Sequence, residues 1–279
     1  MSICSMKKLL RDAAAQNKAV GSFSVGNMEM IMGVIKGAEA MNTPIIMQVA
    51  EVRLSHAPIE LIGSMMVWAA KNAKVDVAVH FDHGTTFGNI KKALDLGFTS
   101  VMYDGSHLSI EKNIAETVAI KETAEKYGAA VEAELGQVGG SEDGSEDVKM
   151  ICTDPEQAKY FYNKTHVDAL AVAIGNAHGN YVKKPDLQFD VLEQIGKEIN
   201  APLVLHGGTG ISDEDFRRCI DLGIRKINIA TGTFDQTVYA AKEYTKATDK
   251  PNYFSMNEAV VEAVSQSTMR YIEVFNNRD

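Results

Sequence analysis

The stretch Val75-Asp76-Val77-Ala78-Val79-His80-Phe81-Asp82-His83-Gly84 sets the pattern for the whole chain. Val75–Phe81 is an apolar run bounded by polar residues, read as a strand buried on both faces, as in a parallel sheet covered by helices. Just beyond it lies Asp82-His83-Gly84. After that, Ile90 and Leu94 recur at i, i+4 before Gly97, which marks a helix and its stop. Seven further runs repeat the strand signal: Ala19–Val25, Pro44–Ala50, Ser100–Tyr103, Ala129–Leu135, Ala169–Ile174, Pro202–Leu205 and Lys226–Ile229. Helical signals separate them. Ile110, Ile114 and Val118 are spaced for one helix face before Gly128, and Asp154 precedes Pro155 at a first helical position. Asp190 with Glu193, and Ser212 with Asp215, resemble capping boxes.

Strand and helix therefore alternate eight times, which leaves an open doubly wound sheet or a closed barrel. Eight units in 279 residues fit a (β/α)8 TIM barrel, an α/β fold with catalytic groups just past the C-terminal ends of its strands. Those ends carry Asn27, Glu51, Asp82-His83, Asp104, Glu134, His178, His206 and Asn228 to Thr231. Gly136–Lys149, rich in Gly, Ser and acidic residues, reads as a mobile loop over the mouth. The tail from Phe234 to Asp279 holds two helical stretches, the second carrying Val260, Val264 and Met269, that would cover the barrel or a partner subunit. We expect one domain over residues 1–279 with this helical C-terminal extension.

A formal net charge of −9 opposes approach to a nucleic-acid backbone or an anionic membrane. Cys4, Cys152 and Cys219 are odd in number and widely spaced, which suits a reducing cytoplasm better than a disulfide framework. Leu9-Leu10 is cut off by Arg11 and Asp12, so no signal-peptide core forms there, and no apolar stretch is long enough to span a bilayer. The expectation is a soluble cytoplasmic protein.

Three runs lead to a His-Gly pair: His83-Gly84, His178-Gly179 and His206-Gly207. In a barrel, all three imidazoles meet at one mouth. Three neutral imidazoles with an open fourth position are a common catalytic zinc arrangement. His80 reads as a core or supporting group, His56 and His166 as surface, and His107 lacks the strand-end context. Asp82 either orients a ligand or exchanges a proton with substrate oxygen. Glu132 and Glu134 share one side of a strand; one buried carboxylate there could be structural, whereas Glu134, at the end, is an alternative metal ligand, and Asp104 is a ligand or a turn residue. Gly207-Gly208-Thr209-Gly210 and Ala230-Thr231-Gly232-Thr233 follow the last two runs, where barrels bind phosphate through backbone N–H groups. Lys226 has a rival reading as a Schiff-base nucleophile, but it begins its run, near the bottom face, and fits a buried polar layer better.

The segments His80 to Gly84, Tyr103 to His107, Val131 to Gly136, Gly139 to Gly144, Ala173 to Gly179 and Leu205 to Gly210 closely resemble the class II, metal-dependent ketose-phosphate aldolases, which include fructose- and tagatose-bisphosphate aldolases. The match runs through the whole chain in order. It implies a (β/α)8 barrel with Zn2+ held by His83, His178 and His206, and with Glu134 and Asp104 near a second metal position. It implies that Asp82 works on the oxygen at C4 and that Glu142, in the loop, exchanges the C3 proton of the three-carbon ketone. Gly179, Gly207, Gly208, Thr209, Asn228, Ala230 and Thr231 match the positions that hold dihydroxyacetone phosphate. Relatives also place a monovalent cation near that phosphate and form homodimers or homotetramers.

Several residues depart from the family pattern. Thr209 stands where serine is usual, Ala230 is of the tagatose type, Gly232 replaces an acidic residue, and Val182 takes the place of a phosphate-contacting lysine, with Lys183 beside it. Residues Asn252–Ala259 lack the Asp-Pro-Arg motif that brings an arginine to the distal phosphate, and with it a charge-assisted, often bidentate contact. The resemblance therefore implies a ketose 1-phosphate whose far end is unphosphorylated or carries another polar or acidic group, with Arg53, Arg217 or Arg270 as substitutes. The alternative within the family is a 1,6-bisphosphate aldolase. Outside it stand a metal-dependent barrel hydrolase, disfavoured by the absence of a His-x-His pair in the first strand, and a noncatalytic sugar-phosphate sensor.

Overall fold

The structure is a computed structural model that describes residues 2–140, 150–179 and 185–277. Its strands are β1 (Val20–Ser24), β2 (Ile45–Ala50), β3 (Val77–Gly84), β4 (Ser100–Tyr103), β5 (Ala130–Leu135), β6 (Gly139–Gly140), β7 (Ala169–Val172), β8 (Ala177–His178), β9 (Leu203–Leu205) and β10 (Ile224–Ile229). Eight of them close a parallel barrel in the order β1-β10-β9-β7-β5-β4-β3-β2, while β6 and β8 pair with each other as a separate short ribbon. The helices are α1 (Met6–Ala14), α2 (Met28–Ala40), α3 (Ile59–Asn72), α4 (Phe87–Leu96), α5 (Ile110–Glu125), α6 (Pro155–Thr165), α7 (Phe189–Glu198), α8 (Asp213–Asp221), α9 (Thr231–Ala247) and α10 (Tyr253–Phe275). The fold is the expected (β/α)8 TIM barrel, and all eight strand runs have their counterparts.

Differences are local and have causes. β3 continues through Asp82 and His83 to Gly84, so these residues belong to the strand and not to the loop after it. Asp154 and Ser212 do cap α6 and α8, accepting from Gln157 N at 2.9 Å and Asp215 N at 3.2 Å. Asp190 does not cap α7, because Gln188 N donates to Ile174 O at 2.7 Å and starts the helix earlier, leaving Asp190 in its first turn.

Successive side chains of a strand point to opposite sides of the barrel wall, which sorts the core into two apolar clusters. Phe23, Met47, Val79, Val101, Val131, Leu170, Leu205 and Ile227 face outward and pack under the helices. Val20, Ile46, Ala78, Met102, Ala130, Ala171 and Val204 face inward and meet Met6, Leu9, Leu10 and Ala13 of α1. This helix, of which the sequence reading noticed only Leu9-Leu10, plugs the N-terminal end of the barrel. Ser2 O accepts from Val77 N at 2.7 Å and Cys4 N donates to Val77 O at 3.0 Å, tying it to the start of β3.

Above this apolar floor the same inward parity turns polar. Ser22 and Ser24, Gln48, His80 and Asp82, Glu132 and Glu134, His206, and Lys226 and Asn228 are all at most 4% exposed. Buried polar groups on this scale are tolerated only when they satisfy one another.

The C-terminal tail covers the barrel itself. α10 lies along α2, where Gly33 and Gly37 let it approach: a Cβ at Gly33 would sit 2.6 Å from Val264 Cβ, and one at Gly37 2.7 Å from Ser265 O. Val260, Val264, Ile272 and Phe275 are buried there, each worth about 1.5–3 kcal/mol by burial of apolar area. Met269 is only partly buried. Among the described residues, no helix is long and apolar enough to cross a membrane.

Candidate active site

At the mouth, β3 supplies two consecutive residues to one cavity, which strict alternation forbids. Asp82 points inward by parity. His83 follows it there because its φ is +45°, a left-handed conformation rare for a non-glycine residue, at a register shift between Phe81 and Gly84 against β4. Strain of this kind, on the order of 1–3 kcal/mol, persists where the surroundings fix it. Gly84 is required next, since a Cβ there would lie 2.6 Å from Met102 O.

His83 Nδ1 lies 2.9 Å from Asp104 Oδ2, and His206 Nε2 lies 2.9 Å from Glu132 Oε1. Each carboxylate accepts an N–H, which assigns both tautomers and leaves the lone pairs on His83 Nε2 and His206 Nδ1. These two atoms face each other at 2.8 Å. Two lone pairs held that close repel unless a cation or a proton lies between them. The third ring, His178, stands with its centre 5.0 Å from that of His83 and 5.8 Å from that of His206. It does not end a barrel strand as expected: β7 stops at Val172, and His178 is carried on β8 against β6. Asn176 fixes the intervening turn, accepting from Ile174 N at 2.8 Å and donating to His206 O at 3.0 Å.

Electrostatics suit a cation as well. Burial, and then His83, push His178 down to about 3, and the same causes hold His206 well below the ordinary imidazole range, so both rings are neutral and able to ligate. Burial would raise Asp104, but the hydrogen bonds from His83 and Ser106 outweigh it and keep the carboxyl low. Glu134 is the opposite case: burial and the Asp104 charge push it well above the carboxylate range. Its Oε2 is buried and has no hydrogen-bond partner among the described residues; it lies 3.8 Å from His206 Nδ1 and 4.0 Å from His83 Nδ1. Ligand atoms of His83, His178 and His206 lie within 4.8 Å of one another, as do those of His83, Asp104 and Glu134. The donor set therefore fits a divalent metal.

Asp82 sits beside this cluster, 1% exposed. Gln48 Nε2 donates to its Oδ2 at 2.8 Å and Asn228 Nδ2 to its Oδ1 at 3.2 Å. Lys226 is the third residue of β10, level with Val20 at the foot of β1, and its ammonium rises to Glu132 Oε2 at 2.9 Å and Asn228 Oδ1 at 2.7 Å. An ammonium paired in this way is a structural cation. His80, completely buried, lies 2.9 Å from Ser100 Oγ through Nδ1, and burial, then Lys226, hold it well below its usual range.

The expected phosphate residues also converge. Gly179, Gly207, Thr209, Asn228, Ala230 and Thr231 line one small pocket with His178. Gly207 has φ +63°, and a Cβ there would lie 2.1 Å from Ala177 O. Thr209 Oγ1 accepts from Gly232 N at 2.9 Å, and α9 begins beside it with Ala230, which offers no side-chain cap, so a helix N-terminus opens on the pocket. Gly208 is outside it: its N–H is used by Asn228 O at 3.1 Å, and a Cβ there would lie 2.8 Å from the same oxygen.

Other candidates sort by position. Glu142, Val182 and Lys183 lie outside the described residues. Glu51 accepts from Thr86 N at 3.1 Å and Asn89 Nδ2 at 2.6 Å, and Asn27 caps α2 through Met30 N, so both serve the backbone. Arg270 is bound to Asp213 at 2.6 Å on the outer face, and Arg217 lies within α8. Arg53, on the 3-10 turn Glu51–Ser55 that directly follows β2, lies at the mouth with its guanidinium 5.1 Å from the centre of the Phe234 ring. Sequence reasoning passed over Gln48 and read Glu132 as no more than a structural carboxylate, missing its hold on His206. Their signal was an amide or a carboxylate within a fully buried strand.

A family model described as fructose-bisphosphate aldolase class-II matches residues 4–279. Sulfofructosephosphate aldolase of Alkalicoccus urumqiensis is 36% identical over 284 aligned residues, covering 100% of this chain and 98% of that protein. Fructose-bisphosphate aldolase of Staphylococcus aureus is 39% identical over 236 residues, 83% of this chain and 82% of that protein. Among solved structures, the YdjI aldolase from Escherichia coli K12 superposes with a TM-score of 0.88 at 35% identity, over 98% of this chain and 97% of that one. Sequence, barrel and relatives agree that the chain belongs to the class II fructose-bisphosphate aldolase family and is a lyase.

Proposed function

We propose that this aldolase reversibly cleaves a ketose 1-phosphate to dihydroxyacetone phosphate and an aldehyde whose far end is acidic but not phosphorylated, with zinc held by His83, His178 and His206. The observation that carries this reading is the pair of lone pairs on His83 Nε2 and His206 Nδ1, 2.8 Å apart beside a buried Asp82. Zinc supplies, when bound, Lewis acidity toward a ketone oxygen. Asp82 takes the proton from the oxygen at C4 during cleavage and returns it during condensation, within reach of the two amides that fix it. Glu142 exchanges the proton at C3. Glu134 and Asp104 offer further oxygen donors beside His83. The 1-phosphate lies on the backbone of Gly179, Gly207, Thr209, Ala230 and Thr231 and the N-terminus of α9, with a monovalent cation beside it.

Topology supports the distal assignment. In the ring of strands, β9 is diametrically opposite β3, so a chain laid from the phosphate pocket past Asp82 reaches the neighbouring β2, whose Ala50 pairs with Asp82 and whose following turn carries Arg53. A guanidinium there suits a carboxylate or sulfonate. The name sulfofructosephosphate aldolase, borne by one relative, denotes a substrate with a sulfo group and a phosphate. The name fructose-bisphosphate aldolase, borne by another, favours the competing reading. The same proposal takes residues 1–279 as one domain, in a cytoplasmic homodimer or homotetramer.

Condensation of dihydroxyacetone phosphate with neutral, carboxylated, sulfonated and phosphorylated aldehydes tests it. The expected outcome is highest kcat/KM on a carboxylated or sulfonated aldehyde. High selectivity for phosphorylated aldehydes contradicts the distal assignment, and hydrolysis without carbon–carbon bond cleavage contradicts the reaction class.

A further inference from the structure

On the outside of the barrel, α2 and α3 carry an apolar strip that the described residues leave uncovered. Met28 and Met32 of α2, and Leu61, Met65 and Trp68 of α3, are all exposed, Trp68 at 69%. Four of them, Met28, Met32, Met65 and Trp68, line a groove of about 720 Å³ between the two helices. That volume would hold a small molecule, but small-molecule sites offer a few unpaired polar groups that fix the ligand. Here the polar side chains lining the groove, besides the Trp68 indole, are engaged within the chain. Lys36 pairs with Glu262 at 2.7 Å, Glu39 accepts from Lys74 N at 2.9 Å, Ser64 donates to Glu60 O at 2.7 Å and Asn72 Nδ2 donates to Trp68 O at 2.8 Å. Neither a charged ligand nor a peptide backbone is matched by this groove. What matches it is a second apolar surface with its own aromatic and methionine anchors.

We propose that this face is the contact between two copies of the chain, joined about a two-fold axis that sets their α3 helices antiparallel. This rests on the homo-oligomer reading above and gives it a surface. The charges select both the partner and the axis. Leu61, Met65 and Trp68 recur at i, i+4 and i+7 on one face of α3, with Glu60 and Lys71, both exposed, toward its two ends. A spacing of eleven residues is close to three whole turns, so these two charges share a flank.

Reversal of the helix about the midpoint of Leu61 and Trp68 lays Leu61 against the partner subunit's Trp68 and Met65 beside the partner subunit's Met65. Glu60 then lies on the same flank as the partner subunit's Lys71, about 3 Å from it along the helix axis. Every contact occurs twice, as an isologous interface requires. A parallel arrangement would set Glu60 level with the partner subunit's Glu60 and leave no unlike charges to pair. Two chains of net charge −9 repel as whole bodies, so they join best where the centre is apolar and the flanking charges are opposite. The contact of Glu60 with Lys92 at 3.3 Å is a surface pair of little worth and does not compete strongly.

Trp68 is the only tryptophan in the sequence, so its emission reports from this face alone. The test follows sedimentation velocity, tryptophan emission and acrylamide quenching together over a dilution series of the full chain loaded with zinc. The proposal predicts weak quenching in the assembled protein, rising with a red shift of the emission as dilution dissociates it. Met65→Lys places two ammonium groups at the axis. It should halve the mass of the assembly by raising the dissociation constant about 100-fold, with zinc content unchanged. Glu60→Lys and Lys71→Glu should each weaken association about tenfold, and the two together should return it to within about threefold of the parent. An oligomer whose Trp68 stays fully quenchable overturns this contact and leaves the homo-oligomer reading standing, whereas a monomer at all concentrations overturns both. Failure of the paired charge reversal to restore association overturns the antiparallel axis. The emission and quenching of the parent protein decide the matter even should a variant not fold.

Discussion

The floor of the catalytic mouth and its rim are built from different materials. The floor consists of side chains on barrel strands or, for His206, directly after one, with His206, Glu132, Lys226, Asn228 and Asp82 locked by short polar contacts at almost no exposure. The rim consists of backbone, where Gly179 and Gly207 hold positive φ and Thr209 binds the first turn of α9. Strand residues have neighbours on both sides and move little, which suits groups that must keep an ion and a proton acceptor in fixed relation. Backbone N–H groups at strand ends and a helix N-terminus suit an anion that has to arrive and leave. The floor therefore depends on the identity of its side chains, the rim on its backbone path, and substitutions should separate the two.

The largest effect belongs to the floor. His206→Ala should remove bound zinc and all measurable cleavage together, checked by metal analysis and turnover; a protein that retains stoichiometric zinc and normal turnover would show that His206 is not a ligand. Asp82→Asn should lower cleavage by about 10²–10⁴-fold, the range for a general acid–base group, while zinc stays bound.

At the rim, Gly207→Ala tests the backbone path. Its left-handed φ and the approach to Ala177 O predict a loss of about 1–3 kcal/mol in stability, read by denaturant unfolding, and a raised KM for the 1-phosphate, since the shift is passed to the His178 segment. Unaltered stability and KM would mean that the rim tolerates a side chain and is not set by backbone. The smallest effect is expected at Thr209. Thr209→Val loses one hydrogen bond to Gly232 N, worth about 1 kcal/mol or roughly fivefold in KM, whereas Thr209→Ser should match the parent.

The same division explains what could be read from the chain beforehand. Eight buried runs with helical segments between them are a strong periodic signal, so the barrel was legible. The His-Gly pairs and Asp82 were legible because polar groups at strand ends are costly without a task. The polar floor was only half legible: Gln48, Glu132 and Lys226 all lie on the inward parity of their strands, but parity identifies an inward face only once the barrel is closed. The left-handed turn at His83 is a tertiary matter, since alternation alone sends that ring to the outer face. His178 was expected at the end of a barrel strand, not on a separate ribbon, because nothing in Ala169–Ile174 marks the point where pairing with β9 ends and the Gly175 turn, φ +102°, begins. Gly208 looked like a phosphate glycine and instead makes room for the Asn228 carbonyl.

The central claim is that His83, His178 and His206 share one divalent ion. Anomalous diffraction at the zinc edge from crystals of the zinc-loaded, active protein tests it most directly. The account predicts one strong peak about 2.0–2.1 Å from a nitrogen of each of the three rings. A fully active protein whose zinc lies elsewhere, or touches only one of the three, would contradict it.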